Sequence, residues 1–203
     1  QNIVAGVVKT VNLPVTVKTR LGWDMDSINI TEIARRIEDA GAKMLTVHCR
    51  TRSQGHSGRA DWSYIEKIKK TINIPVILNG DIDNAAAAGR ALQNTPADGI
   101  MVGRAAAGAP WIFTEIKEYL RYGRIKTVFS LNDKIRICLR HLKGEIDQKG
   151  EKRAIPAFRK FYGNYFKAYH GIASLRRELM QLTGYETVKN LLYRKLDSIS
   201  IQS

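Results

Sequence analysis

Apolar residues along the chain fall into two patterns, short continuous runs and helical stripes, which follow one another in turn. Residues 14–20 (PVTVKTR), 44–47 (MLTV), 75–78 (PVIL) and 99–102 (GIMV) are the runs. Their length and β-branched content predict strands, buried on both faces where the apolar character is continuous. The intervening stripes are Ile30, Ile33, Ala34 and Ile37, then Ile65, Ile68 and Ile72, then the Ala-rich segment 84–93, and each predicts a helix. Strand, helix, strand is the parallel crossover unit. Asn29 with Glu32 as a capping box, or Thr31 alone, is expected to start the first of these helices, Gly41 to stop it, and Asp61 to cap the second. Residues 2–12 also carry a helical stripe, Ile3, Val4, Val7, Val8 and Val11, with no cap and no strand before it. This helix is expected to be the end of an element that begins upstream.

Each run stops abruptly in polar residues or glycine. The strand-end landmarks Lys18, His48, Asn79 and Gly103 are separated by 30, 31 and 24 residues, the period of repeated strand–helix units. In parallel α/β folds the ligand lies outside the carboxyl ends of the strands. Four polar clusters converging on one rim are a stronger signal than any single motif. The most informative stretch is 74–111, where Asn79-Gly80-Asp81 and Gly103-Arg104 follow two apolar runs. Asn-Gly is also a common hairpin turn, but a helical pattern rather than a second strand follows Asp81. The stretch is read as a phosphate or nucleotide-cofactor site, because glycines there let backbone approach a ligand closely.

Pro110 is expected in the first turn of a helix running to Tyr122, and residues 123–130 read as a linker. From Leu131 onward the pattern is helical only, which divides the chain into residues 1–125 and 126–203. Phe158, Phe161, Tyr162, Tyr165, Phe166 and Tyr169 share one helix face and are expected in a core. Arg159, Lys160, Asn164 and Lys167 point elsewhere, towards phosphate, and Arg176 and Arg177 add to the basic side near a helix ending at Gly184.

Charge sharpens this division. The formal net charge is +14; residues 1–130 hold 18 Lys/Arg against 12 Asp/Glu, and residues 131–203 hold 15 against 7. A basic helical segment of that kind suggests a polyanion such as nucleic acid. Cys49 and Cys138, far apart, suggest no disulfide framework and fit a reducing cytoplasm. No apolar run approaches the roughly 18 residues of a membrane span, and residues 1–17 have no leader pattern. Neither a membrane nor a metal is expected as a partner.

The motifs VKTR-G-W, TVHCRTR, GxADW, IPVILNGDI and DGIMVGRAAAGAPWIF, in that order, resemble the tRNA-dihydrouridine synthases, most closely their bacterial B-type branch. The resemblance covers nearly the whole chain. It implies an α/β fold, the second half of an FMN-binding (β/α)₈ TIM barrel, followed by a small all-helical tRNA-binding domain. It also implies reduction of the uridine C5–C6 bond in tRNA, with NADPH recharging the flavin. Lys18 matches the family lysine beside the flavin ring, where a cation stabilises the reduced anion. His48 matches the histidine near the flavin and the substrate pocket. Asn79, Gly80 and Asp81 match the FMN-contacting triplet, and Gly103 with Arg104 the phosphate-holding pair. The family's catalytic cysteine lies upstream of the Lys18 strand, and no cysteine precedes Lys18 here. Cys49 stands where the family usually has a small residue and is expected to be incidental. Phe161 and Asn164 stand where relatives often carry His and Trp.

Two other readings are consistent with the residues. One is another FMN barrel acting on a free small molecule, which has no need of a basic helical segment. The other is a non-catalytic RNA-binding module, which the missing cysteine favours.

Overall fold

A computed structural model describes residues 1–167 and 172–200, the side chains of 196–200 excepted; Tyr169 therefore lies outside the described residues. The chain divides into two compact units, one of residues 1–105 and 112–125, the other of residues 106–111 and 126–203.

The first unit begins with α1 (Asn2–Thr10), whose Ile3 and Val7 are exposed. Four strands follow, β1 (Thr16–Arg20), β2 (Met44–His48), β3 (Val76–Asn79) and β4 (Gly99–Met101). They form one parallel sheet in the order β1-β2-β3-β4. The crossovers carry α2 (Ile30–Asp39), α3 (Ser63–Lys69) and α4 (Ala85–Asn94), and α5 (Ile112–Tyr122) follows β4. Helices cover one face of the sheet, where Leu45, Val47, Val76 and Leu78 are fully buried with Ala34, Ile65, Ile68 and Ala88. The β-branched and Leu positions that alternate along each strand thus supply the core, as period-2 side-chain alternation requires.

Local caps differ in detail from the sequence expectation. Asn29 occupies the N-cap position of α2, but neither it nor Thr31 makes a side-chain cap bond, so the capping box does not form. Asp61 instead accepts from the Ser63 N–H at 3.0 Å, just ahead of α3. Asn84 caps α4 through the Ala87 N–H at 2.8 Å.

The second unit contains α6 (Leu131–Lys149), α7 (Glu151–Tyr165), α8 (Ile172–Gln181) and α9 (Tyr185–Ser200). A capping box between Ser130 and Asp133 starts α6. Its core gathers Leu139, Leu142, Phe158, Tyr162, Tyr165, Phe166, Val188 and Leu192, so the aromatic stripe of α7 is interior. Asn164 lies outside that core and packs over Gly108, where any side chain would collide with it. Among the described residues no helix is long and apolar enough to cross a membrane.

Candidate functional site

Strand register places the site residues on two levels of one sheet face. Arg20, His48, Asn79 and Met101 lie level across the four strands at the carboxyl rim. Lys18, Thr46, Ile77 and Gly99 form the level below, about 6–7 Å deeper by the strand rise. Lys18 and His48 therefore share a face without sharing a level. Asn79 spends its amide on the rim itself, donating from Nδ2 to the Met101 carbonyl at 2.8 Å.

Beyond the rim, two loops continue the ladder between β1 and β2. The Leu21 amide donates to the Arg50 carbonyl, Arg52 to Gly22, and Ser53 to Trp23, at 2.8–3.2 Å. Arg20 ties the second loop down, donating from Nη1 to the carbonyls of Thr51 at 2.7 Å and Gly55 at 3.0 Å. Arg50 turns inward. Its Nη2 donates to both Asp81 oxygens, at 2.7 and 2.8 Å, and to the Gly58 carbonyl, and its Nε to the Ser57 carbonyl. Asp81 also accepts from the Ala60 N–H at 2.7 Å. The Asp81 carboxylate is thus a clamp on the loop that follows β2.

Gly80 makes the clamp possible. At φ +123° a Cβ on it would lie 2.8 Å from the Ala60 Cβ and 3.2 Å from the His48 ring. Asp81 follows with φ +57°, a left-handed conformation that Asp tolerates better than most residues. The Gly80 carbonyl accepts from Trp62 Nε1 at 3.0 Å. Asn79-Gly80-Asp81 is therefore a turn in which each residue has a separate task.

The rim is electropositive. Burial and then the charges of Arg20, Lys18 and Arg50 push the His48 imidazole down to about 4, so it is neutral at pH 7. The His56 ring stands 6.1 Å from that of His48. Its pKa is lowered first by Arg104 and then by burial, Arg20 and Arg50, which places Arg104 in the same field. Burial would raise the pKa of Asp81, but the Ala60 N–H and the Arg50 guanidinium outweigh it and hold the carboxyl below its usual range.

Gly103 and Arg104 follow β4, Arg104 opening a short 3-10 helix (Arg104–Ala107). Both are exposed. A Cβ at Gly103 would meet nothing within 4 Å, so packing does not demand glycine there. Buried Arg50 Nη1 lacks a hydrogen-bond partner. Open space, an exposed cation and an unspent buried donor suit an anionic ligand. No group of three or more His, Cys, Asp or Glu that could hold a metal ion occurs among the described residues.

Cys49 follows His48 but faces the other way. It is 1% exposed, its Sγ lies 3.7 Å from the Val47 carbonyl, and burial followed by the Asp61 charge pushes its thiol up to about 12.

The basic residues expected to meet phosphate differ in their exposure. Arg159 is half-buried, its Nη2 donating to the Leu182 carbonyl at 3.4 Å, with Nε buried and unpartnered. It ties α7 to the turn before α9 rather than standing free in solvent. Lys160 is exposed with Nζ 4.9 Å from the Phe161 ring centroid. Lys167, Arg176 and Arg177 are exposed, Arg176 lying against Gly163.

Arg20, Arg50 and His56 escaped the sequence reading as site residues. All three lie in or next to the motifs around β1 and β2, so position was a signal. That Arg50 meets a carboxylate 31 residues later was not.

A parallel βα ladder with a cationic, glycine-lined carboxyl rim defines an α/β protein, and ligands of such folds lie outside the carboxyl ends of the strands. The dihydrouridine synthase family (Dus) model matches residues 1–200, and the chain belongs to that family. It is 42% identical over 199 residues to a probable tRNA-dihydrouridine synthase 1 of Synechocystis sp., covering 98% of this chain and 56% of the relative. A probable tRNA-dihydrouridine synthase of Rickettsia bellii is 43% identical, covering 86% of this chain and 53% of its own. The tRNA-dihydrouridine synthase B of Pseudomonas syringae pv. tomato is 40% identical, with coverages of 86% and 52%. The chain thus spans about half the length of these curated relatives.

Proposed function

We propose that this chain carries the flavin side of an FMN-dependent tRNA-dihydrouridine synthase. In this reading unit 1 is half of a (β/α)₈ barrel, and NADPH is the reductant that recharges the flavin. The substrate is uridine in tRNA, which implies a cytoplasmic setting. The reading rests on family membership, on the relatives' names and on one observation: Arg20, His48 and Asn79 are level at the rim, with Lys18 beneath and Gly103-Arg104 at its end.

FMN, when bound, supplies the hydride for the C5–C6 bond. The residues here do the holding. Arg104 and the Gly103 backbone would hold the cofactor's phosphate through charge-assisted hydrogen bonds. Lys18 would set a positive charge one level below the rim, beside the bound cofactor. Neutral His48 offers one donor and one acceptor. Asn79, by bonding the Met101 carbonyl, fixes the spacing of β3 and β4 at the rim. Asp81 contributes at one remove, by holding the loop after β2 through Arg50 and the Ala60 N–H. Proton transfer to C5 is assigned to no residue of this chain, since Cys49 is buried and its thiol pushed up to about 12.

Flavin fluorescence titration tests the reading. Arg104→Ala is expected to weaken FMN binding by about 1.5–3 kcal/mol, the usual worth of a charged hydrogen bond. An unchanged Kd refutes the phosphate assignment. A wild-type chain with no affinity for FMN favours the non-catalytic RNA-binding alternative.

A further inference from the structure

Unit 2 contains a second concentration of positive charge, separate from Arg159, Lys160, Lys167, Arg176 and Arg177. Arg136, Arg140 and Lys143 recur on α6 at i, i+4 and i+7, and so occupy one helix face. Tyr185, Lys189 and Tyr193 recur on α9 at i, i+4 and i+8. The two faces line an open groove of about 550 Å³, in which Asp147 is the one carboxylate of the lining. Arg136 and Arg140 are exposed and make no side-chain hydrogen bond or ion pair among the described residues. Lys143 pairs with Asp147 at 3.3 Å, but the two side chains are 58% and 61% exposed, and such pairs contribute little.

Gly144 supplies an independent observation. It lies within α6 on the groove wall, where glycine is a poor helix former. A Cβ there would meet nothing within 4 Å, so no neighbour in the fold excludes a side chain. What glycine does provide is width, at the point where Arg140 and Lys143 flank it.

From this we infer that the α6–α9 groove is an RNA contact, seating a stretch of sugar-phosphate backbone. Arg136, Arg140, Lys143 and Lys189 meet successive phosphates. On α6 the first three cations rise about 6 Å and then about 4.5 Å along the helix axis, a ladder suited to a repeating anion. Tyr185 and Tyr193 give the groove flat surfaces for sugars or unpaired bases, and base–aromatic stacking tolerates any sequence. The inference rests on the tRNA reading above and adds to it a specific surface.

The test measures binding of an unmodified tRNA transcript to the full 203-residue chain across a salt series. The groove variant is Arg136→Gln, Arg140→Gln, Lys189→Gln, and the control, Lys67→Gln, Lys70→Gln, Arg90→Gln, removes equal charge from unit 1. The groove variant is expected to lose about tenfold or more in affinity, with a salt slope shallower by about 2, while the control stays near wild type. A second variant, Gly144→Glu, narrows the groove and reverses charge in it while improving helix propensity. It is expected to weaken binding without lowering Tm. Wild-type affinity and slope in the groove variant, or wild-type affinity in Gly144→Glu, overturn the groove and leave the tRNA reading standing. A wild-type chain that does not bind tRNA at all overturns both.

Discussion

Asp81→Ala removes the carboxylate paired with buried Arg50. The two Arg50–Asp81 bonds of 2.7 and 2.8 Å disappear, together with the acceptor for the Ala60 N–H. Removing one partner of a buried pair costs about 3–5 kcal/mol, because the other charge is left uncompensated. Arg50 is 3% exposed at its side chain, but Asp81 is 34% exposed, and Arg50 keeps the Ser57 and Gly58 carbonyls. Both points move the expected loss to about 2–3 kcal/mol. Alanine at the φ of +57° held by Asp81 adds about 1 kcal/mol of backbone strain. The sum is about 3–4 kcal/mol for Asp81→Ala, against about 1–2 kcal/mol for Asp81→Asn, which keeps an acceptor and tolerates the left-handed backbone. Urea titration followed by amide exchange in unit 1 measures both, and the Ala60 amide reports the clamp itself. The pH dependence is a further check. The Asp81 pKa is depressed in the fold, so its stabilisation is present above the unfolded value of about 3.9 and is lost as pH falls through the lower folded value. The gap between wild type and Asp81→Ala should therefore close below about pH 4. A loss under 1 kcal/mol for Asp81→Ala at pH 7, with Ala60 still protected, refutes the clamp.

Two further outcomes are expected. By NMR, His48 titrates near 4 rather than at its ordinary value, and Lys18→Met moves the midpoint up; a wild-type midpoint near 6.5 refutes the cationic rim. Because protons then bind the unfolded chain more readily, stability should decline as pH falls from about 6.5 towards that folded value. Cys49 should resist a thiol reagent at pH 8 and react only at the rate of unfolding, since it is 1% exposed with its thiol pushed up to about 12; rapid native labelling refutes this.

Strands and helices were legible because short apolar runs and i, i+3, i+4 stripes report burial, although β3 is fully buried only at alternate positions and β4 only partly, rather than on both faces as expected. Leu45, Val47, Val76 and Leu78 sit where those patterns place them. The caps were less legible. Asn29 has the right chemistry for an N-cap, but its φ of −133° and ψ of 17° go with no side-chain bond to an amide of the first turn. At the site, His48 and Asn79 stand at strand ends as expected, but Lys18 lies in the middle of β1, where Arg20 is the end residue. The Arg50–Asp81 pair depends on two loops meeting across the β2–β3 register. Local sequence carries no information about such a meeting. Arg159 shows the converse: helical spacing puts it off the aromatic face, yet the turn before α9 supplies a carbonyl that draws it inward.

The arrangement at the rim is consistent with the proposed anion site. Cations placed close together repel, and the fold must hold them against that repulsion. Arg20 is anchored on the Thr51 and Gly55 carbonyls, and Arg50 on Asp81, so neither is free to swing away. Arg104 is exposed and has no such anchor among the described residues, as its proposed role toward a phosphate would need. Burial first, and then the charges of Arg20, Lys18 and Arg50, hold the His48 imidazole neutral. In the proposed reading, a bound dianion would offset those charges and raise the proton affinity of the same imidazole. The part of the His48 shift that comes from neighbouring charges and the proposed attraction for an anion would share one electrostatic potential. A change that weakens one, such as loss of the Lys18 charge, must weaken the other by linkage.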